Sequence, residues 1–246
     1  MIFRRRIVRI IRGSLRFVLI ASTFLFLHFY FFISSIQHTY ILNAAVLVNT
    51  VLIITLILSW VLGVSRPKKL DLSAIFLGFL GILILAAPRL KAGWISVGNL
   101  EALMVALMIS LYAVYAKKIS LLYKLYVLSS IIYLLAGVEA LIASSTTIEL
   151  GSATQHDLLF LLLLAFIPTA FGHTMYLASI ENTDLHRTQL LALLELVSAS
   201  ILASILFGET PSIMMIVGAI LILIGTTMIT LREFLVKNNA GVGSNL

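Results

Sequence analysis

Residues 40–63 read YILNAAVLVNTVLIITLILSWVLG, a run without a single Asp, Glu, Lys or Arg. An α-helix needs about 20 apolar residues to cross the ~30 Å hydrocarbon core of a bilayer, and this run is that long. Its apolar residues do not alternate with polar ones, so a barrel strand is excluded. The run is therefore a membrane-spanning helix. Working outward from it, comparable stretches lie at about 15–36, 71–88, 97–116, 123–143, 157–179, 187–207 and 211–231. The expected fold class is an all-α integral membrane protein with eight transmembrane helices.

The rest of the composition agrees. Of the 246 residues, 61% are hydrophobic and only 11% charged, where a soluble domain carries about 25% charged residues. The absence of Cys rules out disulfides, thiol chemistry and Cys-based zinc or iron–sulfur centres. No HExxH pair, no GxGxxG or GxxxxGK phosphate loop and no GxSxG elbow occurs. With no long polar insertion to form a catalytic domain, the chain is read as no enzyme, with no catalytic residue, metal or cofactor. Any transport must then run on a solute or ion gradient.

The connectors carry turn signals at Gln37-His38, at Ser65 to Lys69, at Pro88 to Gly93 and from Ser144 to His156. Thr210 before Pro211 reads as an N-cap followed by Pro at the first helical position, which predicts where the last span starts. If the spans alternate across the membrane, then of the 17 Lys and Arg residues only Arg89 and Lys91 fall on the side opposite the N-terminus. Basic residues are retained on the cytoplasmic side, so both termini are expected in the cytoplasm of a multi-pass cell-membrane protein. The net charge of +7 is then a topology signal, and no nucleic-acid partner is implied. The arginines before the first span are also placed to touch anionic headgroups. They do not mark a signal peptide, because the apolar run after them exceeds a 7–15-residue h-region.

Two segments share a plan. From Ile54 to Ala87 a helix ends at Leu62-Gly63 and, after a turn, the next helix carries Gly78 and Gly81. From Leu196 to Thr230 the helix end is Phe207-Gly208-Glu209 and the next helix carries Gly218 and Gly225. In the alternating topology the first turn is cytoplasmic and the second external. That is an inverted repeat, a design of secondary transporters with a midplane solute site.

Three further segments carry a family resemblance. Gly98-Asn99-Leu100-Glu101-Ala102-Leu103 runs to Tyr112-Ala113-Val114-Tyr115-Ala116-Lys117-Lys118. Pro168-Thr169-Ala170-Phe171-Gly172-His173-Thr174-Met175-Tyr176 forms the second, and Leu194-Glu195-Leu196 through Gly208-Glu209-Thr210-Pro211 to Gly225 forms the third. Together they resemble the drug/metabolite transporter superfamily, in particular its EamA-like domain. The resemblance implies two five-helix domains, whereas this chain has three helices followed by five. It also has Leu196 where the family has Pro after the Glu, and Val64 where Glu would follow Gly63. The expected organisation is an Arg-rich cytoplasmic segment over 1–14, an incomplete first repeat of three helices over 15–92, a second repeat of five over 93–231, and a cytoplasmic tail over 232–246. A shortened homologue, a misplaced start and half of a split system all fit this pattern.

Ionisable groups inside a bilayer are expensive and are functional candidates by default. Glu195, flanked by Leu193, Leu194, Leu196 and Val197, is read either as a cavity carboxylate for a cationic or polar solute or a coupling proton, or as a hydrogen-bonded strut between helices. His173 shares a helix face with Tyr176 and Thr169 and is either a proton relay or an interhelical hydrogen bonder. Glu101 sits near a helix N-terminus, where a carboxylate is favoured whatever its role. Asn49 and Thr50 near the middle of their span, with Tyr112 and Tyr115, either line a cavity or tie helices together. His28 is read as a packing residue and Glu139 as reaching the external interface. The function expected is a secondary transporter of a small metabolite or amphipathic compound, working by alternating access. The alternative is a non-transporting assembly subunit. Partners expected are the lipid bilayer, a small-molecule substrate and, because the first half is short, either a second copy in a homodimer or another membrane subunit.

Overall fold

A computed structural model describes residues 2–87, 96–120, 124–145, 154–208 and 210–243. Eight helices among them are long and apolar enough to cross a membrane. They are α1 (Ile2–His38), α2 (Ile41–Val61), α3 (Lys69–Ala86), α4 (Val97–Ser120), α5 (Leu125–Ser144), α6 (Gln155–Asn182), α7 (Leu185–Leu206) and α8 (Ile213–Gly243). The described residues are helical wherever the sequence places a span. α1 begins well before its apolar part, Leu15–His38, so the Arg-rich segment continues the same helix. α8 likewise runs on past Arg232.

Three spans are interrupted. In α2 the side chains of Asn49 and Thr50 turn back on their own helix, Asn49 Nδ2 donating to Ala45 O at 2.8 Å and Thr50 Oγ1 to Leu47 O at 2.6 Å. Such back-bonding competes with the helical ladder and bends it. α6 contains a π-helical stretch, Ala165–Gly172, around Pro168. Proline supplies no N–H to the ladder, and Thr169 Oγ1 donates to the carbonyl of Leu164 instead. α7 tightens at Leu193, where the N–H groups of Leu193 and Leu196 each bond three residues back.

Helix ends follow local rules. Gly63 and Gly208 have φ of 67° and 66°, the left-handed conformation that closes a helix C-terminus. They are the glycines of the two repeat copies. α6 starts with a capping box, Asp157 N–H donating to Thr154 Oγ1 and Thr154 N–H to Asp157 Oδ2. The start expected for α8 needs correction: Ser212, not Thr210, accepts from the Met215 N–H, and Pro211 precedes the cap rather than following it. A short hydroxyl three residues before an unpaired N–H is the requirement, and Ser212 meets it once the helix begins at Ile213. Glu209 and the connector carrying Arg89 and Lys91 lie outside the described residues.

Two buried clusters form the core. One joins α1, α4 and α5 with the ends of α6 and α7 that meet at their short turn. The other joins α3 and α8 with α7. Residues of α2 enter both, Val51 the first and Leu52 the second, so α2 lies between them as α7 does. The α3–α8 pair is close because the repeat glycines face each other. A Cβ on Gly81 would stand 2.7 Å from Gly218 O, and one on Gly225 2.7 Å from Ala74 O. Without apolar attraction between helices in lipid, such backbone contact is what holds a pair.

The ends differ in charge. At one end Asp71, fully buried at the start of α3, accepts from Arg187 Nε and Arg232 Nη1, both at 3.1 Å, and from the Lys68 N–H at 2.7 Å. This single carboxylate ties α3, α7 and α8. At the other end α1 meets α4, where Ser34 and His38 donate to Glu101 and Thr39 to Asn99. α6 is lopsided: every residue from 155 to 168 is exposed, whereas Leu177 and Ile180 near its other end are buried.

Two outcomes follow. Gly81→Val should lower stability by about 1–3 kcal/mol, because the α3 and α8 backbones must separate. Gly137→Ala, with nothing within 4 Å of the new Cβ, should be neutral or gain up to roughly 1 kcal/mol; thermal unfolding by circular dichroism reads both. For sidedness, cysteines at the exposed Lys118 and Tyr40 should react with an impermeant maleimide only from the cytoplasmic and external sides, respectively. Labelling of both from one side would contradict the topology.

Candidate functional site

The interior polar groups gather where α1, α4, α6 and the first part of α7 meet. His173 follows the π-helical stretch of α6, and its ring lies 5.0 Å from Phe29, 5.9 Å from His28 and 6.3 Å from Tyr176, centroid to centroid. Tyr176 stacks on Tyr112 of α4 at 6.4 Å. Gln189 of α7 donates from Nε2 to the Tyr176 hydroxyl at 2.6 Å. On the flank, the Tyr133 hydroxyl of α5 lies 3.2 Å from Thr174 Oγ1.

Two atoms of this cluster are buried and have no hydrogen-bond partner among the described residues: the Tyr112 hydroxyl and His173 Nδ1. Buried polar atoms in folded proteins are normally paired, so each such case calls for an explanation. The cluster presents imidazole, phenol and carboxamide groups with aromatic faces. It is suited to stacking and neutral hydrogen bonding. Among the described residues no three His, Asp or Glu are grouped so as to hold a metal ion.

Of the residues singled out from sequence, His173, Tyr176 and Tyr112 are brought together here. The others are not. Tyr115 packs against Phe17 and Phe24, one turn further along α4. Asn49 and Thr50 are occupied by their own helix, and Glu101 by Ser34 and His38 at the end of the bundle. Thr169 Oγ1 is occupied by the Leu164 carbonyl within the π-helical stretch. Glu195 is exposed on the second part of α7. His28 packs on Phe29 and Phe32 and also lies beside His173, and Glu139 Oε1 accepts from Thr23 at 2.9 Å and from Ser22 at 3.2 Å on α1.

Sequence reasoning passed over Gln189 and Asp71. Each stands beside basic residues at the start of a span, where polar groups are expected and carry no signal. Only the unusual burial of an Asp between Leu70 and Leu72 hints at a partner.

The described residues thus form an all-helical bundle of membrane-length spans with a polar interior cluster, and the family comparison fits that architecture. The model of the EamA-like transporter family matches residues 1–87 and 96–231. The chain belongs to that family. A relative described as an uncharacterized transporter, from Clostridium kluyveri, is 25% identical over 199 residues, covering 78% of this chain. The match spans 64% of that relative's own length. A solved crystal structure superposes with a TM-score of 0.77 at 16% identity, covering 91% of this chain and 79% of the other, and so shares the fold. As a member of that family the chain carries eight helices long and apolar enough to cross a membrane among its described residues.

The unpaired hydroxyl yields a test of the site. Tyr112→Phe removes a buried unpaired group and should leave thermal stability unchanged or raised by about 1 kcal/mol. Gln189→Leu deprives the Tyr176 hydroxyl of its partner and should lower stability by roughly 1–3 kcal/mol. Destabilisation by Tyr112→Phe would mean that the hydroxyl is paired after all.

Proposed function

We propose that this EamA-like protein is a secondary transporter that moves a small metabolite or amphipathic compound by alternating access, with the cluster around His173 as the solute contact. One observation carries the reading: the Tyr112 hydroxyl and His173 Nδ1 are held inside the bundle without partners. A solute that hydrogen-bonds to both while lying on the neighbouring rings supplies what the chain itself does not. The interruptions in α2, α6 and α7 support it, since discontinuous spans line the solute sites of secondary transporters.

Glu195 has a separate part in the proposal. A carboxylate facing lipid at the centre of a span costs about 2.5–3.5 kcal/mol on insertion scales, so an exposed one belongs in a water-filled opening. There it meets a cationic or polar solute, or carries the coupling proton. The 15–92 and 93–231 segments are the two sequence repeats, with both termini in the cytoplasm of a cell-membrane protein. The bodies that move against each other are the two clusters that interleave them, one built on α1, α4 and α5 and the other on α3 and α8.

A second reading has its own observation. Every residue from 155 to 168 is exposed, so among the described residues no helix covers that half of α6. That favours a homodimer or a second membrane subunit, and in its stronger form an assembly subunit that does not transport alone.

Flux separates the readings. Reconstituted protein should take up or exchange members of a panel of amino acids, neutral aromatic metabolites and organic cations. Glu195→Gln should insert and fold normally yet lose flux or its pH dependence. Unchanged flux and an unchanged pH profile remove Glu195 from the mechanism. No flux of any compound by folded protein, monomeric or dimeric, overturns the transporter reading in favour of the assembly subunit.

A further inference from the structure

α6 and α7 are joined by a turn of two residues, Thr183 and Asp184, at the end of the bundle that also carries Asp71. That turn is held from two sides. From α4, Lys117 donates from Nζ to the carbonyls of Ile180, Glu181 and Thr183. The last carbonyls of a helix have no partner within it and form the negative end of its dipole, so one ammonium satisfies several acceptors at once. From α3, Asp71 holds the start of α7 through Arg187 and the neighbouring α8 through Arg232.

The two clamps connect the hairpin to different parts of the protein. Lys117 is on α4, whose cluster also holds Leu177, Ile180 and Leu185 of the hairpin, and Asp71 is on α3, whose cluster holds Leu190 and Leu193 of α7. For this end to open, the hairpin must leave one of them. Leaving Asp71 would take Arg187 and the nearby His186 from a fully buried carboxylate and leave it Arg232 alone, a costly loss of charge pairing. Leaving Lys117 returns a half-buried ammonium and three neutral carbonyls to water and parts Leu177, Ile180 and Leu185 from the cluster they share with α4.

We infer that Lys117 is the gate contact at the basic end: the α6–α7 hairpin releases from Lys117 when this end opens and stays with α3 and α8, anchored at Asp71. The inference rests on the alternating-access reading, and Lys117 has no part in the solute cluster. The seam runs between α4 and the Ile180 end of α6, where the Ile180 side chain is fully buried.

The test uses the full chain in proteoliposomes and exploits its lack of natural cysteine. In an Ile180→Cys background, the rate of maleimide labelling reads exposure of the seam. Lys117→Gln should raise that rate about ten-fold or more, as expected for losing hydrogen bonds to a charged group. Lys117→Arg, which keeps the cation, should restore a rate near that of the background. Lys118→Gln, which removes an adjacent exposed charge, should leave it unchanged. An unaltered rate in Lys117→Gln overturns the inference, and so does an equal rise in Lys118→Gln. Loss of folded Lys117→Gln protein overturns it too, because Lys117 would then hold the fold rather than gate it. Labelling needs no solute, so absence of flux in every variant counts against the transporter reading alone.

Discussion

A bilayer interior supplies no water, so every polar atom placed there needs a partner within the chain, and the arrangement of this protein follows from how that requirement is met. Most hydroxyls meet it locally. Ser22, Ser35, Ser59 and Ser110 each donate to a carbonyl three or four residues back on their own helix. Charged groups cannot be satisfied this way, and their pairing across helices decides which spans are neighbours. Asp71 draws in Arg187 and Arg232, and Lys117 collects the free carbonyls at the end of α6.

Against that background the exceptions stand out. Among the described residues four buried side-chain polar atoms have no hydrogen-bond partner: Glu139 Oε2, whose sister oxygen is paired, His186 Nε2, 3.6 Å from Asp71, and the Tyr112 hydroxyl and His173 Nδ1, which lie close to rings suited to stacking. Both lie beside the π-helical stretch that orients His173. A regular helix through residues 165–172 would rotate His173 and Tyr176 together relative to the first part of α6. The interruption and the cluster therefore belong together: the irregular backbone sets which side chains face inward.

The halves of the chain are interleaved rather than set side by side. α1 packs on α4 and α5, and α3 packs on α8, so each cluster contains helices from both the first three and the last five spans. The glycine contacts hold the α3 and α8 backbones together, whereas α2 and α7, which enter both clusters, are interrupted, as is α6. Close backbone packing and irregularity are thus divided between different helices.

Span number, the glycine-terminated helix ends at Gly63 and Gly208, and the family resemblance were all legible in the sequence, because each depends on local composition: apolar length, backbone permissiveness, and the spacing of small residues. His173, Tyr176 and Tyr112 were legible as a set because polar aromatics within apolar spans are conspicuous. The tertiary structure alone decided that His28 and Gln189 join them, that Asn49, Thr50 and Glu101 are satisfied elsewhere, and that Asp71 links three helices. Those outcomes depend on which helix faces which. A residue's neighbours along the chain report its depth in the membrane, whereas its partner lies on a span far away in sequence, and one π-helical turn is enough to redirect the side chains that meet.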